Sequence, residues 1–247
     1  MLQKLNDLVE QLRLRGIADS LKSVLAEARQ QGQSIEEVLQ KLLEIEYQYR
    51  NTRRLENRLK AAKLPWEWSI DTFPFKTQPA VKKSQIMSLA KLEFIAHLEN
   101  VIFIGKPGTG KTGLAISLLR LALINGYRGR FYKAQDLLNE LYTSLADRST
   151  SRVLKNIANY DVVVIDELGY LTLTNEQINI FFKLIDMRYH KKSTIITTNL
   201  DFSAWYDVFK QKELVDAMLD RLNHYCTIIK INGPSLREPK QGTNKKK

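Results

Sequence analysis

Over the first quarter of the chain, apolar residues recur at three- or four-residue spacing, and glycine and proline are nearly absent. That spacing lines one face of a helix. Leu5, Leu8, Leu12 and Leu14 predict a first amphipathic helix ended by Gly16. Ile17, Leu21, Val24, Leu25 and Ala28 predict a second, ended near Gly32. Ser34 and Glu37 form a capping box, each side chain reaching the other's backbone N–H, and it opens a third helix. Ile35, Val38, Leu39, Leu42 and Leu43 supply the apolar face of that helix. Toward Lys63 the face rotates. At about 100° per residue, Leu39, Leu42 and Leu43 share one side, and Leu55, Leu59 and Ala62 lie nearly opposite. Either the helix breaks near Asn51-Thr52, or one long helix buries its two ends against different surfaces.

The pattern changes at Leu64-Pro65-Trp66-Glu67-Trp68 and Phe73-Pro74-Phe75, which read as an extended connector. Its aromatic rings are expected to dock on a neighbouring domain, since bulky aromatics are usually buried. A stacking role for Trp66 or Trp68 on nucleic acid is the other reading. From about residue 80, helical and strand-like segments alternate. Val101–Gly105, Arg130–Tyr132, Val162–Ile165, Ser193–Thr198 and Cys226–Ile231 are the predicted strands. Val162–Ile165 is apolar throughout, as a strand covered on both faces must be. Between the strands, helices are expected over the stretch ending near Asn125, after an Asp136 cap, at Thr150–Ala158, Gln177–Tyr189 and Leu214–Leu222. Alternating β and α units imply a parallel α/β sheet with right-handed crossovers.

One motif decides the chemistry. Gly105-Lys106-Pro107-Gly108-Thr109-Gly110-Lys111-Thr112 fits G-x-x-x-x-G-K-[ST], with a strand before it and a helix-forming run, Leu114–Leu119, after it. In this phosphate-binding loop the glycines let the backbone curl until several N–H groups face one anion. Lys111 would reach the β- and γ-phosphates, and Thr112 would offer its hydroxyl to Mg²⁺. Asp166 and Glu167 follow the buried strand Val162–Ile165, at the sheet edge where α/β proteins bind ligands. Asp166 suits a Mg²⁺ ligand, and Glu167 suits a base that polarises the attacking water. Asn199, after the fourth strand, either helps place that water or forms a turn. Arg221 either favours a helix C-terminus or serves as an arginine finger on a neighbour's γ-phosphate.

Charge adds a partner. The chain carries a net charge of +11 and a pI of about 9.6, a surplus suited to a polyanion such as nucleic acid. Arg50, Arg53, Arg54, Arg58 and Lys60 form a basic stripe over about half of one helix, with Glu56 the sole acid between Arg50 and Lys63. Such a stripe binds backbone phosphates without reading bases; a solvated helix face is the plainer reading. Lys191-Lys192 is a second basic group. Cys226, the single cysteine, excludes an intrachain disulfide and Cys-x-x-Cys zinc sites. His97, His190 and His224 are scattered and suggest no metal site. No apolar run approaches the roughly 20 residues of a membrane span, and the N-terminus lacks a signal-peptide core. These features point to the cytoplasm.

The segments Gly105–Thr112, Val164-Ile165-Asp166-Glu167-Leu168-Gly169-Tyr170-Leu171 and Thr197-Thr198-Asn199 resemble AAA+ ATPases, and more narrowly the IstB/DnaC-like group. Likeness to the IstB-like helpers of bacterial transposition extends over almost the whole chain. It includes Asn51–Ala62, the connector from Asp71 to Phe75, and Asn100. The resemblance implies a five-stranded AAA+ sheet of order 5-1-4-3-2 behind a small all-α N-terminal domain, without a C-terminal helical lid. It implies ATP and Mg²⁺ as cofactors, and a homo-oligomer with ATP sites between subunits. Double-stranded DNA and a transposase are the implied partners. It casts Asn199 as sensor 1, Arg221 as the trans-acting finger and Arg237 as the sensor 2 arginine. Gly105 to Gly113 would wrap the nucleotide, with Gly113 standing where these relatives carry histidine and Leu236 where they carry an aromatic. The expected division is a helical DNA- or partner-binding domain over 1–64, a connector over 65–80, an ATPase domain over 81–240 and a disordered basic tail over 241–247. A DnaC-type helicase loader is the alternative function, sharing every ATPase residue. A small-molecule or nucleotide kinase is a third, disfavoured by Glu167.

Overall fold

A computed structural model of the chain describes residues 2–169, 171 and 173–237. The tail expected at 241–247 lies outside them. The chain separates into two compact units, Met1–Arg58 and Leu59–Lys247.

The first unit contains α1 (Leu2–Gln11), α2 (Arg15–Gln31) and most of α3 (Ile35–Ala62). Val9, Ile17, Leu21, Val24 and Leu42 form its core, with Val38 and Ile45 packed against it. Two expectations fail here. Gly16 is not a helix stop; it lies inside α2, where a Cβ would come within 2.8 Å of the Tyr49 Cβ and 3.1 Å of the Glu46 Cα. Close helix approach, rather than chain termination, explains that glycine. Glu46, almost fully buried, accepts a hydrogen bond from the Ile17 backbone N–H at 3.2 Å, which satisfies an orphan donor in the first turn of α2. Leu5, Leu8, Leu12, Leu39 and Leu43 are exposed, and Val9 and Leu42 supply the contacts instead. Gly32 does end α2, in the left-handed conformation that only glycine adopts without strain.

The Ser34–Glu37 capping box forms as expected, with bonds of 2.8 and 3.2 Å. Beyond it α3 runs unbroken to Ala62. Leu42 is buried in the first unit, whereas Ala62 is fully buried in a cluster of the second. The rotation of the apolar face is therefore the mark of one helix with two differently buried ends.

In the second unit the end of α3 and a 3-10 turn at Ile70–Thr72 precede α4 (Lys83–Leu89) and α5 (Glu93–Ala96). The repeating units follow: β1 (Asn100–Gly105), α6 (Lys111–Ile124), β2 (Gly129–Lys133), α7 (Ala134–Ala146), α8 (Thr150–Ala158), β3 (Val162–Asp166), α9 (Asn175–Arg188) and β4 (Ser193–Thr198). The short α10 (Trp205–Phe209), α11 (Lys212–Asn223) and β5 (Cys226–Ile231) complete it. All strand pairs are parallel, in the order β2-β3-β4-β1-β5, the order the resemblance implied read from the other edge. Successive strand residues face opposite sides. Val101, Phe103, Val162, Val164 and Ile195 pack with α6 on one side. Ile102, Ile104, Val163, Ile165 and Ile196 pack with α7, α8, α9 and α11 on the other. Asp136 lies in the first turn of α7, after an N-cap at Lys133, so it complements the helix dipole rather than capping it.

Arg188, the last residue of α9, is 1% exposed. Its guanidinium donates to the carbonyls of Ile157, Ala158, Tyr160 and Ser193 and to the Thr194 hydroxyl. It thereby satisfies the free C-terminal carbonyls of α8 and ties α8 and α9 to β4. Among the described residues no helix is long and apolar enough to cross a membrane.

Candidate functional site

β1 delivers the chain to the ligand-binding edge of the sheet at Gly105, where a Cβ would collide with the Ile231 carbonyl oxygen of β5. Gly108 (φ +79°) and Gly110 (φ +96°) adopt backbone conformations that side chains rarely tolerate. Their surroundings are closed as well: a Cβ on Gly110 would lie 2.7 Å from the Phe73 ring, and one on Gly108 would strike the Ser235 side chain. Thr109 is fully buried, and its hydroxyl braces the loop through the Lys106 carbonyl at 2.8 Å. The Lys111 ammonium donates to the Gly105 and Lys106 carbonyls at 2.7 and 2.8 Å. Burial pushes its pKa below the ordinary lysine value; nearby Asp166 and Glu167 oppose the shift, and Arg237 adds to it.

The acidic side of the site hangs from β3 and β4. Asp166 Oδ1 accepts from the Thr112 hydroxyl at 2.8 Å and the Thr197 hydroxyl at 2.6 Å. Burial pushes the Asp166 carboxyl above its usual range; the two hydroxyls oppose that shift, and the Glu167 charge adds to it. Glu167 is exposed and has φ +60°, a strained left-handed geometry. Its N–H donates to the Thr197 hydroxyl at 3.0 Å, holding the strained turn in place. Thr197 therefore links both acids, a role not assigned to it from sequence, although it sits in the Thr-Thr-Asn run. Asn199 packs beside Gly169, which follows in the same turn as Glu167: a Cβ there would lie 2.7 Å from Asn199 Oδ1.

These groups surround one cavity of about 460 Å³, reached by Lys111, Thr112, Asp166, Glu167, Asn199 and Arg237. Its size is that of small-molecule and cofactor sites. The segment 233–237 closes over the loop: the Leu236 N–H donates to the Gly108 carbonyl at 2.7 Å, and the Gln78 amide to the Pro234 carbonyl at 2.6 Å. Nothing local in the sequence marks Gln78 or Ser235 for this contact. Gly113, where a helix start without a side chain could be loose, is instead covered by the Trp68 indole, whose ring atoms lie 2.7–3.0 Å from a notional Cβ.

Two predicted groups lie elsewhere. Arg221 donates to Asp186 of α9 at 2.7 Å and to the Ala217 carbonyl at 2.9 Å, and its guanidinium carbon stands 4.9 Å from the Phe182 ring centroid. The basic residues ride on α3: Arg50 pairs with Glu46 at 2.7 Å and Arg53 with Glu56 at 3.0 Å, while Arg54 and Lys60 are exposed and Arg58 is half-buried. His190 and His224, distant in sequence, meet with ring centroids 5.2 Å apart beside Tyr189 and Tyr225. No metal-competent group of three His, Cys, Asp or Glu residues occurs among the described residues.

A strand, a glycine loop holding a buried lysine, and a hydroxyl bonded to a carboxylate at the end of a parallel strand make a nucleotide site. The chain also matches the description "IstB-like ATP binding protein" over residues 7–244. It belongs to the IstB-like ATP-binding proteins. It is 36% identical over 235 residues to an ATP-binding protein of insertion sequence IS232 from Bacillus thuringiensis subsp. berliner, covering 95% of this chain and 94% of that one. It is 35% identical over 236 residues to an ATP-binding protein of insertion sequence IS21 from Pseudomonas aeruginosa, covering 96% and 89%. In three dimensions it resembles the DnaC helicase loader, with a TM-score of 0.51 at 24% identity over 71% of this chain and 98% of that one. The IstB-like chain thus has the AAA+ fold that the sequence implied. Its residues fit the nucleotide and cation of such sites: Gly108 and Gly110, both at positive φ, line the cavity with backbone, and the bonded Thr112 and Asp166 oxygens form a hard donor pair of the kind Mg²⁺ takes alongside phosphate and water.

Proposed function

We propose that this IstB-like protein is a cytoplasmic, DNA-binding ATPase that assembles on target duplex DNA and presents it to the transposase of an insertion sequence. The observation that carries this reading is the convergence of Lys111, Thr112, Asp166, Glu167 and Asn199 on one cavity, in a chain that matches insertion-sequence ATP-binding proteins along nearly its whole length. Lys111 exchanges its two loop carbonyls for β- and γ-phosphate oxygens, and the loop from Gly105 to Gly113 wraps the phosphates with backbone N–H groups. Thr112 and Asp166 would hold Mg²⁺, which when bound supplies positive charge to the phosphate oxygens. Glu167, exposed at the cavity, takes the proton of the attacking water, and Asn199 helps orient that water. Arg237, on the segment latched over the loop, reads the bound phosphates.

Arg221 lies outside its own chain's cavity and is available to a neighbour's ATP once it leaves Asp186. ATP sites completed in trans make assembly depend on the γ-phosphate. The Arg50–Lys60 stripe on α3 grips duplex phosphates within the DNA- and partner-binding region 1–64, and the connector 65–80 joins that region to the ATPase region 81–240. The extent of the insertion-sequence match favours this reading over a helicase loader.

The deciding measurement is particle mass on duplex DNA with a non-hydrolysable ATP analogue, compared with ADP. Assembly with the analogue alone is expected, and loss of that assembly in Lys111→Ala and Arg221→Ala. A chain that stays monomeric under saturating analogue and DNA refutes the proposal.

A further inference from the structure

Two tryptophans remain outside this account. Trp66 and Trp68 both line the cavity that holds the phosphate loop. They stand two residues apart in an irregular stretch that bends at Pro65 and Trp66, and both reach the same cavity. Glu67 between them does not line the cavity and forms an ion pair with Arg120 of α6 at 2.9 Å, which ties the stretch to the helix that the phosphate loop opens. Trp68 is wedged on Gly113, and its indole N–H is buried without an acceptor. Trp66 is 47% exposed and stands in the cavity with the phosphate cradle, with no ring contact among the described residues. Large aromatics are usually covered, and a planar nucleobase has the shape and polarisability to cover this one.

We propose that Trp66 and Trp68 form the nucleobase subsite of the ATP site: Trp68 is the fixed wall set by the bare backbone of Gly113, and Trp66 stacks on the base. This rests on the reading of the cavity as an ATP site and extends it to the base.

The test compares ATP with inorganic triphosphate, which carries the charges without the base, on the full-length chain by equilibrium competition. Trp66→Ala is expected to weaken ATP by roughly tenfold, the scale of one aromatic–base stack. It should leave triphosphate affinity unchanged, and Trp66→Phe should recover most of the loss. In a Trp68→Phe background, ATP should quench the emission of Trp66, while Trp205, buried in a different cluster, gives a constant signal. Thermal melting confirms that each variant folds. Unchanged, Lys111-dependent ATP affinity in Trp66→Ala overturns the base subsite and leaves the phosphate site standing. Equal losses for ATP and triphosphate also overturn it. Failure of the parent chain to bind ATP overturns the site and its extension together.

Discussion

In the unit Met1–Arg58 a small set of residues around Leu21 and Leu42 is buried, while Leu5, Leu8, Leu12, Ile35, Leu39 and Tyr47 stay in water. In the unit Leu59–Lys247 both faces of a parallel sheet are sealed, and most of the strand residues of β1, β3 and β4 are fully buried. The second unit is built to hold a strained turn at Glu167 and two polar residues, Lys111 and Asp166, out of solvent. Doing so takes a deep, well-packed scaffold, because strain and desolvated charge persist only where surrounding contacts over-determine them. The first unit spends few side chains on itself. Its exposed apolar and cationic surface is the kind that larger assemblies cover. On the proposed reading, chemistry and contact fall to different parts of one chain.

The sharpest probe of the proposed chemistry in the sheet unit is Glu167→Gln. Nucleotide binding should be retained and hydrolysis slowed by roughly 100- to 10,000-fold, the range for a lost general base; equal turnover in a phosphate-release assay removes Glu167 from the chemistry. Next is Arg188→Met, which strands the carbonyls at the end of α8. A loss of about 2–4 kcal/mol is expected from several unpaired buried groups, read as a lower urea midpoint for the sheet unit while the helical unit's transition stays in place. A single joint shift would erase the contrast between the units. Within the helical unit, Leu42→Ala should cost about 2–3 kcal/mol by opening a cavity, whereas its neighbour Leu43→Ala should stay within about 0.5 kcal/mol as a surface change. Equal midpoints would mean that the core has been misplaced.

Two smaller effects follow from burial in the sheet unit. Lys111 has a folded pKa below its unfolded value, so the unfolded chain holds its proton more tightly. Its contribution therefore favours folding as pH rises through the lowered value toward the ordinary lysine value. A bound triphosphate reverses the shift. ATP binding should take up a proton in that alkaline window and weaken as pH rises, a dependence that titration calorimetry in buffers of different ionisation heat can read and that Lys111→Met should remove. Burial also pushes the Cys226 thiol up to about 12, so alkylation near neutral pH should be slow in the native chain and fast in urea. Rapid native labelling would show that β5 is open at that edge.

Where a few neighbouring residues decide a feature, the sequence was legible: the Ser34–Glu37 box, the glycine loop, and the strands centred on Val101–Gly105, Val162–Ile165 and Ser193–Thr198 all form where their patterns placed them. The mistakes share a cause. Gly16 reads as a stop and proves to be a point of close approach, and Leu5 and Leu39 read as core and prove to be surface. Periodicity identifies an apolar face but not whether anything covers it. By itself the chain determined its phosphate chemistry and its alternation of strand and helix, since both arise from short-range backbone and side-chain preferences. Only the tertiary structure brought Thr197 between the two acids, laid 233–237 over the loop and set Trp68 on Gly113. Those contacts join segments far apart in sequence, and no local preference encodes which distant backbone will arrive.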